Sequence, residues 1–211
     1  MTSDELCAGL LQAGAVKLQP ADPFTWSSGM KAPIYCDNRQ LLGDPTLRGR
    51  IADALALAAK ALDPTLMAGT STAGIAWGAL VAERLALPFV YVRPEAKKHG
   101  MGRQVEGPSA AGHRAVLIED LISTGGSSLK CAEALRAEGA ELLAVLALFS
   151  YGLPAAAAAF ATAAVPLRVL GSFETLVQEA QRSGAVDASG RSSLLDWQRD
   201  AATWSQSRGG A

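Results

Sequence analysis

The chain lacks any run of about 18 uncharged apolar residues, the minimum for a helix that crosses a bilayer. The nearest approach, Ala155–Ala164, is only weakly hydrophobic and is ended by Pro166, so no membrane span is expected. A basic excess is missing too. Nineteen Lys and Arg face twenty Asp and Glu, a formal charge of −1, which argues against a dedicated nucleic-acid binder. Cysteine is scarce. Cys7, Cys36 and Cys131 are odd in number and form no CxxC pair, so neither a disulfide framework nor a zinc site is expected. The opening Met1-Thr2-Ser3-Asp4-Glu5 is acidic where a signal peptide would be basic, and the expected compartment is the cytoplasm. Neither a GxxxxGK loop nor a GxGxxG turn occurs, which leaves P-loop and Rossmann nucleotide sites without support.

What is present is a core-forming composition: 49% hydrophobic and 18% charged residues over 211 positions. That suffices for one domain spanning residues 1–211. Thr2 to Glu5 reads as a capping box ahead of a helix with Leu6, Leu10 and Leu11 on one face. Residues 20–40 are rich in aromatics, Pro, Gly and Ser, and predict short strands and turns. Asp44-Pro45 starts a helix, followed by Leu47, Ile51, Leu55, Ala58 and Leu62 at helical spacing. Strands are then expected at Thr65–Ala68, Phe89–Val92, Ala115–Ile118, Leu142–Phe149 and Leu167–Leu170. Helices separate them, at Ile75–Leu85 and around Leu129, Ala132 and Leu135. Continuous apolar strands alternating with helices imply an α/β fold with a mostly parallel sheet covered on both faces. Two tail helices are expected, Phe173–Arg182 and Ser192–Ser205. The long stretch from Pro94 to Gly112 has no apolar periodicity and reads as a structureless, functional loop.

The strongest chemical signal runs from Val116 to Ser127. An apolar strand ends in Glu119-Asp120. Leu121-Ile122-Ser123-Thr124-Gly125-Gly126-Ser127 follows, and a helix begins. In open α/β sheets ligands sit beyond the carboxyl ends of strands. A Ser, Thr and Gly loop feeding a helix start offers free backbone N–H groups to a phosphate. The two carboxylates would repel phosphate. They suit sugar hydroxyls, or a metal held through water, so the implied ligand is a ribose 5-phosphate moiety. A second small-residue loop, Gly69-Thr70-Ser71-Thr72-Ala73-Gly74, allows backbone amides to approach an oxyanion closely. Basic residues on the glycine-flanked loop after Arg93 (Lys97, Lys98, His99) can close over a polyanion.

The Val116–Ser127 stretch resembles the phosphoribosyl-pyrophosphate (PRPP) signature of the type I phosphoribosyltransferases. The resemblance implies their fold, a twisted, mostly parallel sheet flanked by helices with a small N-terminal hood. It implies PRPP contacts at Glu119 to Ser127 and at Thr70 and Ser71. The segment from Phe24 to Arg39 is similar to the hood of orotate phosphoribosyltransferases, in its Ser-Gly turn and the Pro-aromatic pair that follows. On that resemblance Ser27, Lys31, Tyr35, Cys36 and Ser123 are candidate orotate contacts. The loop at 94–112 looks like that family's catalytic lid. Arg93, Lys97, Lys98 and His99 would then reach the pyrophosphate, in a homodimer whose lid serves the neighbouring subunit's site. Mg2+ is the implied cofactor, held mainly by PRPP, with Asp120 reaching it through water. The implied reaction joins orotate to PRPP, giving orotidine 5′-monophosphate and pyrophosphate in pyrimidine synthesis. Two alternatives stand beside it: a phosphoribosyltransferase for another base, and a non-catalytic PRPP-sensing regulator. Three departures are visible. Ser27 stands where some relatives carry lysine, Pro94 replaces a second basic residue, and Ser150-Tyr151-Gly152-Leu153 lacks an arginine for the orotate carboxylate.

Overall fold

Thr2 closes the first helix as its capping box predicts. Its hydroxyl accepts the Glu5 N–H, and the Glu5 carboxylate accepts the Thr2 N–H, at the start of α1 (Ser3–Gln12). The computed structural model describes residues 1–26, 28–95 and 103–211. Four short strands follow: β1 (Val16–Leu18), β2 (Phe24–Thr25), β3 (Lys31–Ala32) and β4 (Ile34–Cys36). They pair as two small antiparallel sheets, β1 with β4 and β2 with β3. A 3-10 turn (Asn38–Gly43) leads to α2 (Pro45–Lys60), whose start is capped by the Asp44 carboxylate on the N–H groups of Thr46 and Leu47.

The remaining elements are β5 (Leu66–Thr70), α3 (Gly74–Leu85), β6 (Phe89–Val92), β7 (Val105–Glu106), β8 (Arg114–Ile122), α4 (Gly126–Ala137), β9 (Glu141–Ser150), α5 (Pro154–Thr162), β10 (Leu167–Ser172), α6 (Phe173–Arg182), α7 (Ala188–Arg199) and α8 (Ala201–Gln206). Strands and helices alternate, apart from an added strand β7 before β8 and three helices in a row at the end. The main sheet has six strands in the order β10-β9-β8-β5-β6-β7. All neighbours are parallel except β6 and β7. Side chains alternate between faces along each strand. Met67, Val116, Ile118, Leu146 and Leu148 pack on one side with α2, α3 and the tail helices. Leu66, Ala68, Ala115, Leu117, Val145 and Ala147 pack on the other with α4 and α5. The expected α/β architecture is thus the observed one.

Strand order reverses between β5 and β8. The chain leaves β5 for α3 on one face, and leaves β8 for α4 on the other. That divergence opens a crevice at the carboxyl ends of two adjacent strands.

Three expectations need correction. The stretch from 94 to 112 is not wholly irregular, because Val105–Glu106 pairs antiparallel with Tyr91–Val92. Two residues cannot display a period, and the exposed edge of β6 selects them. The tail helix expected at Ser192–Ser205 is two helices. Asp200 leaves helical geometry (φ −148, ψ 82), and its carboxylate accepts the Thr203 N–H to start α8. The strand around Ala115–Ile118 runs on to Ile122, so the acidic pair sits within β8.

Gly74 decides how closely the β5–α3 turn can approach β8. A Cβ there would overlap the Ile118 carbonyl and the Thr70 hydroxyl. Gly74→Ala should therefore lower stability by about 1–3 kcal/mol, the range for overpacking a filled site. The midpoint of urea unfolding measures it, and an unchanged midpoint would show that the turn yields freely.

Candidate functional site

Glu119 lies in the carboxyl-terminal half of β8 and is only 6% exposed. A buried carboxylate needs donors. Thr70, ending β5, donates its hydroxyl to Oε1 at 2.6 Å. Ser128, in the first turn of α4, donates to Oε2 at 2.8 Å. The Asp120 N–H adds a third bond at 3.0 Å. Glu119 is thus braced by both strands of the crevice and by the helix behind it. Asp120 stands beside it, half-buried. Burial pushes its pKa up to about 7, and the adjacent Glu119 charge adds to the rise.

A cleft of about 280 Å³ opens above this pair. Its walls are Ser71–Ala73 after β5 and Ser123–Ser128 after β8. Both walls end in helix starts with unfilled caps. Side chains close the first turns of five other helices: Thr2 for α1, Asp44 for α2, Ser172 for α6, Asp187 for α7 and Asp200 for α8; α5 starts without a side-chain cap, on Pro154, which has no N–H to satisfy. No side chain caps α3 or α4. Their first N–H groups and the positive ends of their dipoles therefore face the cleft, where an anion can take them. Gly125 makes the turn at φ +83, and a Cβ there would strike the Phe160 ring at 2.6 Å.

A second cleft of about 420 Å³ adjoins the first. It is lined by Thr25, Trp26, Ser28, Tyr35, Cys36, Leu121, Ser123 and Tyr151. Leu121 and Ser123 line both clefts. The second is flatter and more aromatic. Trp26 stacks on Tyr151 with centroids 5.7 Å apart and planes 19° from parallel. Trp197 meets both rings edge-on. Burial raises the Tyr151 phenol and the Cys36 thiol well above their ordinary pKa values, so both keep their protons at neutral pH. The buried Asn38 ties this cleft to the first. Its amide donates to the Asp120 carbonyl at 2.7 Å and accepts the Cys36 thiol at 3.2 Å. A groove of about 400 Å³ between α1 and α2 is similar in size. It shares no lining residue with either cleft, and Asp44 already caps the helix start beside it.

The two clefts collect most of the residues singled out in the sequence. Ser71, Glu119 to Leu121 and Ser123 to Ser127 line the smaller one, while Tyr35, Cys36 and Ser123 line the larger. Thr70 is placed differently. It is 3% exposed, lies beneath the cleft and serves Glu119. Ile122 is buried in the core under the loop. Lys31 lies outside the larger cleft's lining, with its N–H donated to Ser205. Arg93 ends the β6 edge, its backbone paired with Gln104. Ser27, Lys97, Lys98 and His99 lie outside the described residues. Trp26, Ser128 and Tyr151 were not singled out as site residues. Tyr151 follows the carboxyl end of β9, and the rule that located the Glu119 loop applies to it as well.

Among the described residues no three His, Cys, Asp or Glu side chains gather to hold a metal. The donors at hand are hard carboxylate oxygens, most of those on Glu119 already engaged. This set suits Mg2+, which keeps phosphate and water ligands rather than entering an all-protein cage.

A family model for the phosphoribosyl transferase domain matches residues 49–157. The orotate phosphoribosyltransferase of Bacillus caldolyticus is 50% identical over 202 residues, covering 95% of this chain and 98% of that protein. The crystal structure of orotate phosphoribosyltransferase from Aeropyrum pernix superposes with a TM-score of 0.74 at 33% identity, over 86% of this chain and 99% of that one. Leishmania donovani UMP synthase shares the fold, with a TM-score of 0.80 at 23% identity. The match spans 94% of this chain and 42% of that longer one.

The Asp120 environment sets a pH dependence of stability. The unfolded chain releases this proton near 3.8, the folded chain near 7. Between about pH 4 and pH 7 the folded state holds a proton that the unfolded state has lost, so stability falls as pH rises through that window. Asp120→Asn should flatten this fall and leave the variant more stable than the parent above pH 7. Urea midpoints from pH 4 to 8 measure it, and parallel curves for the two proteins would rule out the raised value.

Proposed function

This chain belongs to the orotate phosphoribosyltransferase family, and from that premise we propose that its two joined clefts hold PRPP and orotate on either side of Leu121 and Ser123. The enzyme transfers the 5-phosphoribosyl group of PRPP to orotate, giving orotidine 5′-monophosphate and pyrophosphate. The shared lining is the observation that carries the assignment of roles. A sugar in the smaller cleft presents its C1 to a base in the larger one only where the clefts meet.

The 5′-phosphate takes the N–H groups opened by the Thr124–Ser127 turn and the start of α4. Asp120 and the braced Glu119 accept hydrogen bonds from the ribose hydroxyls. Ser71–Ala73 and the start of α3 receive the pyrophosphate. The flat orotate ring lies in the larger cleft, among Tyr35, Cys36, Ser123 and the Trp26–Tyr151 stack. The bond from C1 to the pyrophosphate oxygen breaks as the bond to N1 of orotate forms, and the leaving oxygen keeps the electron pair. Positive charge develops on the sugar, as in glycoside chemistry. Catalysis rests on alignment of the two substrates and on stabilisation of the departing charge. Arg93, just after β6, and Lys97, Lys98 and His99, on a lid spanning about 94–112, supply cations for that charge. Bound Mg2+ supplies further neutralisation of the phosphate oxygens, with Asp120 as the protein group that would hold it through water. The lid acts on the neighbouring subunit's site in a homodimer. No helix among the described residues is long and apolar enough to cross a membrane, and the proposed compartment is the cytoplasm.

Pyrophosphate release with PRPP and Mg2+ should depend on orotate and fail with purine bases or xanthine. Release with a purine and none with orotate would overturn the base assignment. Lys97→Ala should lower kcat by about 10²-fold or more, the scale of a lost transition-state charge contact, and weaken PRPP binding much less. Mixing Lys97→Ala subunits with subunits carrying Glu119→Gln and Asp120→Asn should restore activity. Without restoration, the lid would have to act within its own subunit.

A further inference from the structure

The hairpin of β2 and β3 carries Thr25, Trp26 and Ser28 to the larger cleft, yet each strand has only two residues. An isolated two-stranded hairpin is marginal in water. Here its outer edge is occupied by the segment that follows α8. The Lys31 N–H points away from β2 and donates to the Ser205 hydroxyl at 2.8 Å. That hydroxyl donates in turn to the Ala211 carbonyl at 2.8 Å. The Ala211 N–H donates to the Gly29 carbonyl at 3.0 Å. Gly210 lies so close that a Cβ would come within 2.8 Å of the Lys31 nitrogen and 2.7 Å of its Cγ. Ser205 is fully buried, and its hydroxyl is satisfied in both directions. Trp204 anchors the base of the segment, 5% exposed, with the Arg208 guanidinium 3.8 Å over its ring.

We propose that Ser205, with the Gly210–Ala211 segment it holds, is a positioning residue for the base. It fixes the Gly29–Lys31 side of the turn and so sets the wall that Trp26 and Ser28 present to orotate. The segment acts as a third strand on the hairpin, meeting the backbone on both sides of Met30. None of its hydrogen bonds reaches the lining of the smaller cleft, so its influence falls on the base and not on PRPP. The proposal rests on the reading of the larger cleft as the orotate site.

Two variants test it. Ser205→Ala removes the hydroxyl, and Gly210→Val drives the segment off Lys31. Hydrogen exchange at Gly29, Met30 and Lys31 should quicken in both, while exchange in β5 and β8 stays as in the parent. The KM for orotate should rise about tenfold, the scale of one lost hydrogen bond. The KM for PRPP and the kcat at saturation should stay within about twofold. Unchanged exchange, an unchanged orotate KM, or an equal rise in both KM values would overturn the proposal. The exchange measurement needs no substrate. If the parent enzyme released no pyrophosphate from orotate and PRPP while exchange changed as stated, the error would lie in the base assignment, and the role in base positioning would fall with it.

Discussion

A carboxylate buried at the end of a parallel sheet has to be met by donors, and those of Glu119 come from three places in the chain. Thr70 closes β5, Ser128 opens α4, and the Asp120 amide belongs to β8 itself. Hydrogen bonds to a charged group are worth about 1.5–3 kcal/mol each, and a lost partner leaves a costly unpaired acceptor. This interaction therefore holds together the two strands between which the topology divides, and fixes the helix start behind them. The crevice would exist from strand order alone. Its exact width depends on Glu119, and on Gly74, which lets the opposite turn come close enough for Thr70 to reach.

Around that fixed point the charges are sorted. The acidic pair lies within the last residues of β8, and the open N–H groups lie beyond it at the start of α4. Five helices in this chain close their first turns with their own side chains, and those beside the crevice, α3 and α4, do not. A third helix, α5, also lacks a side-chain cap, but it begins on Pro154; α3 and α4 keep open N–H groups where a phosphorylated sugar needs donors. The carboxylates do not spoil the anion site, because one is taken up by protein donors and burial favours a proton on the other.

Much of this was legible in the sequence wherever a local rule governs. Phe89–Val92 and Phe173–Arg182 occupy the residues expected, because each has clear apolar patterning and clear ends. Asp44-Pro45 carried its own cap. The Val116–Ser127 stretch disclosed the smaller cleft, since a strand, a loop and a helix start are contiguous there. What stayed hidden depends on partners far along the chain. Thr70 belongs to the same small-residue loop as Ser71, and only the fold shows that it turns down toward Glu119. Tyr151 was noted for the arginine its loop lacks. Its stacking on Trp26 joins residues 125 positions apart, and no local pattern reports that. Asp200 breaks the tail into two helices although the apolar spacing of Trp197 and Trp204 continues through it. An aspartate satisfied by the next turn's amide outweighed the period.

The two clefts are not built with equal rigidity. The sugar cleft hangs on the main sheet, on strands paired on both sides. The base cleft takes one wall from that sheet and the other from strands of two and three residues, held by single bonds to carbonyls and hydroxyls. Trp26 donates its indole N–H to the Ile34 carbonyl, and Asn38 donates to the Asp120 carbonyl. The position of C1 is therefore set by β8, and the position of the ring by how firmly the hood is tied to it. Asn38 joins the two at the backbone of the acidic pair. A loosened hood weakens the hold on the ring before it changes any contact to the sugar. Alignment is what a transfer between two bound substrates depends on most, so the chain places its most deeply buried amide at that junction.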